Sequence, residues 1–147
     1  LSMLAQIKSS DEDVWNSLRK SGHLEGEPGA SLSRRLRRMR NWIEGAHFPN
    51  AAKIEIQSSI SDEARANLTD EQVGFLSTLV AALSECNWNE SGVASCIKTT
   101  ASQTGVGGRD AYVALYWAIL GKSHGPKASS LMVEMGADDV ITLLSDF

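Results

Sequence analysis

The tripeptide Gly121-Lys122-Ser123 has the ending of a phosphate-binding P-loop, so it raises the question of nucleotide chemistry. A P-loop has another glycine five residues earlier, and this chain has Tyr116 there. It also follows a strand, whereas the residues before Gly121 show a helical pattern. Pro126 lacks one of the backbone amides that would surround a phosphate. The glycines of TGVGGRD also miss the spacing of a dinucleotide-binding loop. The sequence therefore predicts no nucleotide or other cofactor site in this chain.

The residues that most often carry out catalysis are scattered. The three histidines, His23, His47 and His124, all fall in predicted loops, and no serine or cysteine lies in a recognisable nucleophile motif. The acidic pairs Asp62-Glu63 and Asp138-Asp139 suit the first turns of helices, where carboxylates favour the helix dipole. We therefore expect no catalytic site within these residues.

Cys86 and Cys96 are ten residues apart, without a CxxC pair or paired histidines nearby. This spacing disfavours a metal site and predicts reduced, half-buried thiols on helices, which in turn suggests a cytoplasmic protein. No apolar run reaches the length of a membrane span, and no signal peptide is recognisable, so we expect no membrane partner. The chain begins at Leu1, within an apparent helix end, and this suggests a fragment of a longer protein.

Binding to an anionic partner has a better basis than catalysis. Five arginines fall within seven positions of a chain whose net charge is −4: Arg34, Arg35, Arg37, Arg38 and Arg40. Residues 1–50 carry eight basic and six acidic side chains, whereas residues 51–147 carry six and twelve. A protein that coats nucleic acid without specificity would be basic throughout. Any contact with nucleic acid must therefore be local, although a solvated helix face would give the same pattern.

Three tryptophans lie close to this charge or to predicted loops. Trp42 follows the arginine cluster, Trp88 lies in a loop, and Trp117 lies one residue from an apolar stripe. Tryptophan is usually a core residue. An exposed aromatic ring beside arginine or lysine is also what proteins use to bind unpaired RNA bases. Both interpretations stay open at this point.

Apolar periodicity predicts helices along most of the chain. The segment SLSRRLRRMRNWIEG has its apolar stripe at Leu32, Leu36, Met39 and Ile43, with the arginines off that stripe. Helix starts are indicated at Ser10, Thr69 and Asn89, with Thr69 and Gln72 forming a capping box. Helix ends are indicated at glycines 22, 105, 121 and 136. The segment from Ala111 to Leu120 has its stripe at Tyr112, Leu115, Tyr116 and Ile119.

Residues 46–68 lack a helical period, and Ile54 and Ile56 alternate with polar residues, so an extended connector is predicted there. We accordingly predict two parts. Residues 1–50 would form an N-terminal helical segment with the arginine-rich helix, and residues 51–147 a helical subdomain. The predicted fold class is all-α, a compact multi-helix domain with one extended connector.

The order and spacing of several segments resemble the closing region of class I lysyl-tRNA synthetases and, more loosely, of glutamyl-tRNA synthetases. The similar segments are RRMRNWIEGAHFPNAAKIEIQ, LTDEQVGFLSTLVAAL and the run DAYVALYWAILGKSHGPKASSLMVEMGADDVITLLSDF. Within the last run, Leu115-Tyr116 is followed by Leu120-Gly121-Lys122, Gly125-Pro126, Gly136 and then Val140-Ile141. The resemblance covers most of residues 34–147 and is weakest over 1–30.

This resemblance implies an α-helical cage that binds the tRNA anticodon. The parent enzyme would attach lysine to its tRNA using ATP, and its catalytic domain would precede these residues in the same chain. The HIGH-type and KMSKS-type signatures of that catalytic domain are absent here. Candidate tRNA contacts are Arg34, Arg35, Arg38, Trp42, Arg109, Trp117, Lys122 and Lys127. A glutamyl enzyme, or a helical protein-interaction domain without catalysis, is the alternative.

Overall fold

The computed structural model describes residues 1–8, 10–49 and 53–146. These residues form helices joined by turns and extended segments, and they contain no strand, so the predicted all-α fold class is confirmed. The chain divides into two compact units, Leu1–Ile54 and Glu55–Phe147. The boundary predicted at residues 50 and 51 lies outside the described residues. No helix in the described part of the chain is both long and apolar enough to span a membrane.

The described residues of the first unit form three helices, α1 (Ser2–Ile7), α2 (Asp11–Lys20) and α3 (Ala30–Glu44). The helix α2 begins where predicted, because the Ser10 hydroxyl accepts a hydrogen bond from the Asp13 amide at 3.2 Å. Among the described residues of this unit, five buried side chains form a core cluster: Leu4, Ala5, Val14, Trp15 and Leu36. The predicted stripe of α3 faces this core, with Leu36 at its centre and its other three members partly buried. The opposite face of α3 is therefore left to solvent.

Arg40 has a structural role within this unit. Its Nε donates to Asp11 Oδ1 at 2.8 Å, and its Nη1 donates to the carbonyl oxygens of Ala5 and Lys8 at 3.2 and 3.5 Å. The carbonyl groups at the end of a helix have no partner within that helix, so the guanidinium satisfies two of them. Arg40 thereby joins the end of α1 and the start of α2 to α3.

We expect the substitution Arg40→Gln to lower the free energy of unfolding by about 1–2 kcal/mol, because it removes a partly buried ion pair and two hydrogen bonds. Arg37→Gln is the matched control, because Arg37 is exposed and has no hydrogen bond or ion pair with a described residue. That control should change the value by less than about 0.5 kcal/mol. Urea unfolding followed by tryptophan fluorescence measures both, and equal stabilities would contradict the structural role of Arg40.

The second unit contains six helices among its described residues. They are α4 (Asp62–Asn67), α5 (Asp70–Leu83), α6 (Glu90–Thr104), α7 (Gly108–Leu120), α8 (Ala128–Met135) and α9 (Ala137–Leu144). The helix α5 contacts α6, α7 and α9 and buries Phe75, Leu76 and Leu79 completely. It is therefore the central element of this unit's core.

Capping residues fix the ends of these helices. The capping box of Thr69 and Gln72 is present at the start of α5, and the Asn89 side chain caps α6, as predicted. Gln72 has a second role, because its Nε2 donates to the Asp110 carbonyl oxygen at 3.0 Å. Gly105 and Gly121 end α6 and α7 in the left-handed conformation that favours glycine. The hydrogen bond from Gln72 to Asp110 holds the first turn of α7 against the first turn of α5.

The predicted connector contains a helix. Residues 45–48 form a turn, residues 50–52 lie outside the described residues, and residues 53–57 have no regular secondary structure. The helix α4 occupies Asp62–Asn67, within the predicted connector. Ser61 caps it by accepting from the Ala64 amide at 3.1 Å, and two carboxylates lie in its first turn. Because Ala64 is its only buried residue, a helix of this length leaves no apolar period in the sequence.

Candidate nucleic-acid interface

The outer face of α3 carries the most open positive charge in the first unit. Arg34, Arg35, Arg37 and Arg38 are all exposed, and none forms an ion pair or hydrogen bond with a described residue. Arg34, Arg38 and Trp42 recur every four residues, so their side chains form one row along the helix. Arg35 lies beside this row. We call Arg34, Arg35, Arg38 and Trp42 the arginine face.

The Trp42 ring packs against a neighbouring aromatic ring, and about half of its surface is still exposed to solvent. About 49% of its surface is exposed, and its ring meets that of Phe48 edge-on, with centroids 6.0 Å apart and planes at 87°. Phe48 itself is only 7% exposed, so it forms a fixed support for the indole. An edge-on contact leaves much of the ring's face available. The arginine face therefore combines three cations with an aromatic surface held in place, which is the combination that binds unpaired bases and their phosphates.

The remaining predicted residues lie in the second unit. Arg109 is exposed in the first turn of α7, and Lys122 follows the end of that helix, so the two are about 20 Å apart along its axis. Trp117 is half-buried, and Trp88 has its ring nitrogen buried without a hydrogen bond to a described residue. Neither ring is as open as that of Trp42. The structure therefore groups Arg34, Arg35, Arg38 and Trp42 on one helix, whereas Arg109 and Lys122 lie at opposite ends of α7.

The corner between α7 and α8 is built as a fixed turn. Gly121 ends α7 with φ +68°, and the Tyr116 hydroxyl donates to the Pro126 carbonyl oxygen at 2.7 Å. A Cβ atom at Gly125 would require Leu120 Cδ1 and the Tyr116 ring to shift, so glycine lets these two side chains pack closely against the turn. Because Gly121-Lys122-Ser123 follows a helix and not a strand, this corner does not fit the phosphates of ATP as a P-loop would.

Both lysines of this corner interact with other residues. Lys122 is half-buried and has an interaction with another residue. Lys127 is exposed, but its Nζ lies 2.9 Å from Glu90 Oε1. The hydrogen bond to Glu90, followed by the charge of that carboxylate, raises the pKa of Lys127. Lys127 stays protonated at neutral pH, but its charge is already offset by Glu90.

Tyr112 is more exposed than its position in the predicted apolar stripe of α7 indicates. It is 38% exposed, whereas Leu115 and Ile119 of the same stripe are fully buried. Tyr112 is four residues before Tyr116 and three after Arg109, so these three side chains lie on the same side of the helix. The exposure of Tyr112 depends on the neighbouring helix α6, whose small side chains do not cover the ring, and the sequence of α7 alone does not show it.

The chemical groups of the described residues offer little for catalysis. They include no group of three or more histidine, cysteine or acidic side chains that could hold a metal ion. Cys86 lies in the turn after α5 and Cys96 within α6, and both are half-buried free thiols. Burial, and then the neighbouring Cys86, raises the pKa of the Cys96 thiol, so this thiol stays protonated and weakly reactive at neutral pH.

The chain matches a family model described as an anticodon binding domain over residues 12–146. Because this match covers most of the chain, the chain belongs to that family, and the predicted class of domain is confirmed.

Its relatives agree with the resemblance to lysyl-tRNA synthetases. A lysine–tRNA ligase of Methanopyrus kandleri is 25% identical over 156 residues, with 97% of this chain and 27% of the relative covered. A lysine–tRNA ligase of Methanocaldococcus jannaschii is 31% identical over 119 residues, with 79% and 21% covered. This chain therefore spans about a quarter of the length of the curated relatives it matches.

The fold also matches a solved structure. A glutamate tRNA ligase from Elizabethkingia meningosepticum, solved in complex with its amino acid, has a TM-score of 0.59 with this chain at 16% identity. The match covers 97% of this chain and 26% of that enzyme. At this identity the likeness concerns the fold alone.

Proposed function

We propose that this chain binds the anticodon arm of a tRNA as part of a lysine–tRNA ligase. The ligase would attach lysine to its tRNA with ATP in the cytoplasm, and its catalytic domain would lie elsewhere in the same chain. Membership of the anticodon-binding family supports this role for the chain, and the lysine–tRNA ligases among its relatives support the choice of lysine. The ATP would bind to the catalytic domain.

The observation that carries the proposal is the arginine face. Arg34, Arg35 and Arg38 have no ion pair among the described residues, so their charge is available to phosphates. Trp42 lies one turn beyond Arg38 and offers a supported ring to an unpaired base. The loop of an anticodon arm presents both groups, unpaired bases on a charged backbone. The other predicted contacts contribute less, because Lys127 is paired with Glu90 and Trp117 is half-buried.

The second unit is strongly acidic, and this limits the expected affinity. It carries twelve acidic and five basic side chains, so it repels a polyanion at a distance. The isolated chain should therefore bind tRNA weakly, and most of the ligase's affinity should come from its other parts. What this chain would add is discrimination between anticodons.

The test is a titration of the 147-residue chain with fluorescently labelled lysine tRNA, at low and high salt, followed by anisotropy. Binding should weaken as salt rises, because phosphate contacts release counterions. An otherwise identical tRNA with a glutamate anticodon should bind about tenfold more weakly, which corresponds to roughly 1.4 kcal/mol. A preference for the glutamate anticodon would assign the domain to a glutamyl enzyme. Equal binding of both tRNAs that does not respond to salt would refute the proposal.

A further inference from the structure

A groove of about 510 Å³ lies between α6 and the beginning of α7, entirely within the second unit. Its walls are mostly small residues, among them Ala94, Ser95, Ala101 and Ser102 on α6 and Gly108 on α7. Ala101 is buried where the helices approach each other, whereas Ser95 and Ser102 are exposed at the rim. The volume is within the range of sites that bind small molecules. The groove exists because no large side chain fills the space between the helices.

Tyr112 is the one aromatic residue that lines this groove among the described residues, and it is 38% exposed. Its hydroxyl has no hydrogen bond to a described residue, whereas the hydroxyl of Tyr116, one turn later, donates to Pro126. Tyr116 therefore fixes the turn through its hydroxyl group, and Tyr112 does not. An exposed ring beside an open groove can stack on another flat ring.

The charges of the second unit indicate what kind of flat molecule would enter. Of its five basic side chains, Arg65 is paired with Asp146, Lys127 is paired with Glu90, and Lys122 has an interaction with another residue. Lys98 and Arg109 form no ion pair with a described residue. Lys98 lines the groove, and Arg109 follows Gly108, which also lines it. Of these two cations, one therefore lines the groove together with Tyr112 and the other adjoins its lining. Lys127 also interacts electrostatically with Tyr112, but its charge is offset by Glu90.

We propose that this groove binds one unpaired RNA nucleobase, stacked on Tyr112, with the adjoining phosphates on Lys98 and Arg109. The base would enter between Ala94 and Gly108, where the absence of large side chains leaves room for a planar ring. This inference rests on the proposed function, since it assumes that single-stranded RNA reaches the domain. It adds a contact on residues other than those of the arginine face. Base stacking on an aromatic ring is tolerant of sequence, so the groove would strengthen binding more than select a base.

The experiment uses the whole 147-residue chain and a short unpaired RNA carrying 2-aminopurine, with anisotropy for affinity and emission for stacking. Tyr112→Ala should weaken binding about tenfold and reduce the change in 2-aminopurine emission, the remainder coming from stacking on Trp42. Tyr112→Phe should recover most of the affinity, because the ring and not the hydroxyl makes the contact. Ser102→Trp should block the groove from its rim. Gln103→Trp is the matched control, because Gln103 is exposed on the same turn of α6 but does not line the groove.

The outcomes separate this inference from the proposed function. If Tyr112→Ala and Ser102→Trp leave RNA binding and 2-aminopurine emission unchanged, while charge reversal on the arginine face weakens binding, the groove assignment is wrong and the proposed function stands. If the unaltered chain binds neither tRNA nor the oligonucleotide, the proposed function fails and the groove assignment fails with it. A nucleoside monophosphate that binds as tightly as the oligonucleotide would make the groove a site for free nucleotides, and this would also overturn the assignment.

Discussion

Replacing Gly92 by alanine should lower the free energy of unfolding by about 2–4 kcal/mol, the range of overpacked or strained sites. Gly92 lies in the first turn of α6, where its amide donates to Asn89 Oδ1 at 2.7 Å. A Cβ atom there would collide with the carbonyl oxygen of Asn87 and would crowd that residue's carbonyl carbon at 3.1 Å. The obstacle is backbone and not the end of a flexible side chain. The turn between α5 and α6 would have to open, and the Asn89 cap would be lost with it.

Gly74→Ala is the matched control for this prediction. Gly74 lies within α5, and a Cβ atom there would meet nothing within 4 Å. Alanine has the higher helix propensity, so this variant should be as stable as the unaltered chain or up to about 1 kcal/mol more stable. Urea unfolding followed by circular dichroism measures both variants. A Gly92→Ala variant as stable as Gly74→Ala would show that the turn is not as tight as the structure indicates.

The helices were predictable because their ends are encoded locally. Ser10, Thr69 and Asn89 cap the helices that follow them, and Gly105 and Gly121 end α6 and α7 in the left-handed conformation. Each of these signals depends on residues three or four positions apart, which a sequence shows directly. The start of α4 is also encoded locally, by the Ser61 cap and by Asp62-Glu63, but the helix has only one buried residue and was therefore not predicted from apolar periodicity. A single buried residue produces no repeating apolar pattern in a sequence.

The candidate site was less predictable, because contacts with distant parts of the chain decide which of its side chains remain exposed and unpaired. Nothing in RRLRRMR distinguishes Arg40 from its neighbours, yet Arg40 binds Asp11 and the end of α1 while Arg38 stays open. Lys127 pairs with Glu90, 37 positions away. Tyr112 falls on the apolar stripe of α7 by spacing, and only the small side chains of α6 leave it exposed. The sequence shows which side chains are charged or aromatic, but it does not show which of them remain exposed and unpaired for a ligand.

Reversing the charge of the arginine face, with Arg34→Glu, Arg35→Glu and Arg38→Glu combined, should weaken tRNA binding by about 100-fold at low salt. Each arginine lost removes about one phosphate contact, and each glutamate adds repulsion. The slope of log affinity against log salt should fall by about 2 to 3 as well. The fold should be retained, because these side chains bond to no described residue and glutamate has nearly the helix propensity of arginine.

A single reversal, Arg38→Glu, has a matched control in Lys20→Glu. Lys20 is exposed in the last turn of α2, and the two substitutions change the net charge equally. Arg38→Glu should weaken binding about tenfold and Lys20→Glu less than about twofold, because only a local contact depends on position. Equal losses would mean that the chain responds to net charge and not to a site. If the triple variant binds tRNA normally but associates poorly with the rest of the ligase, the arginine face is a protein-binding surface, and the anticodon arm must be bound elsewhere on the domain.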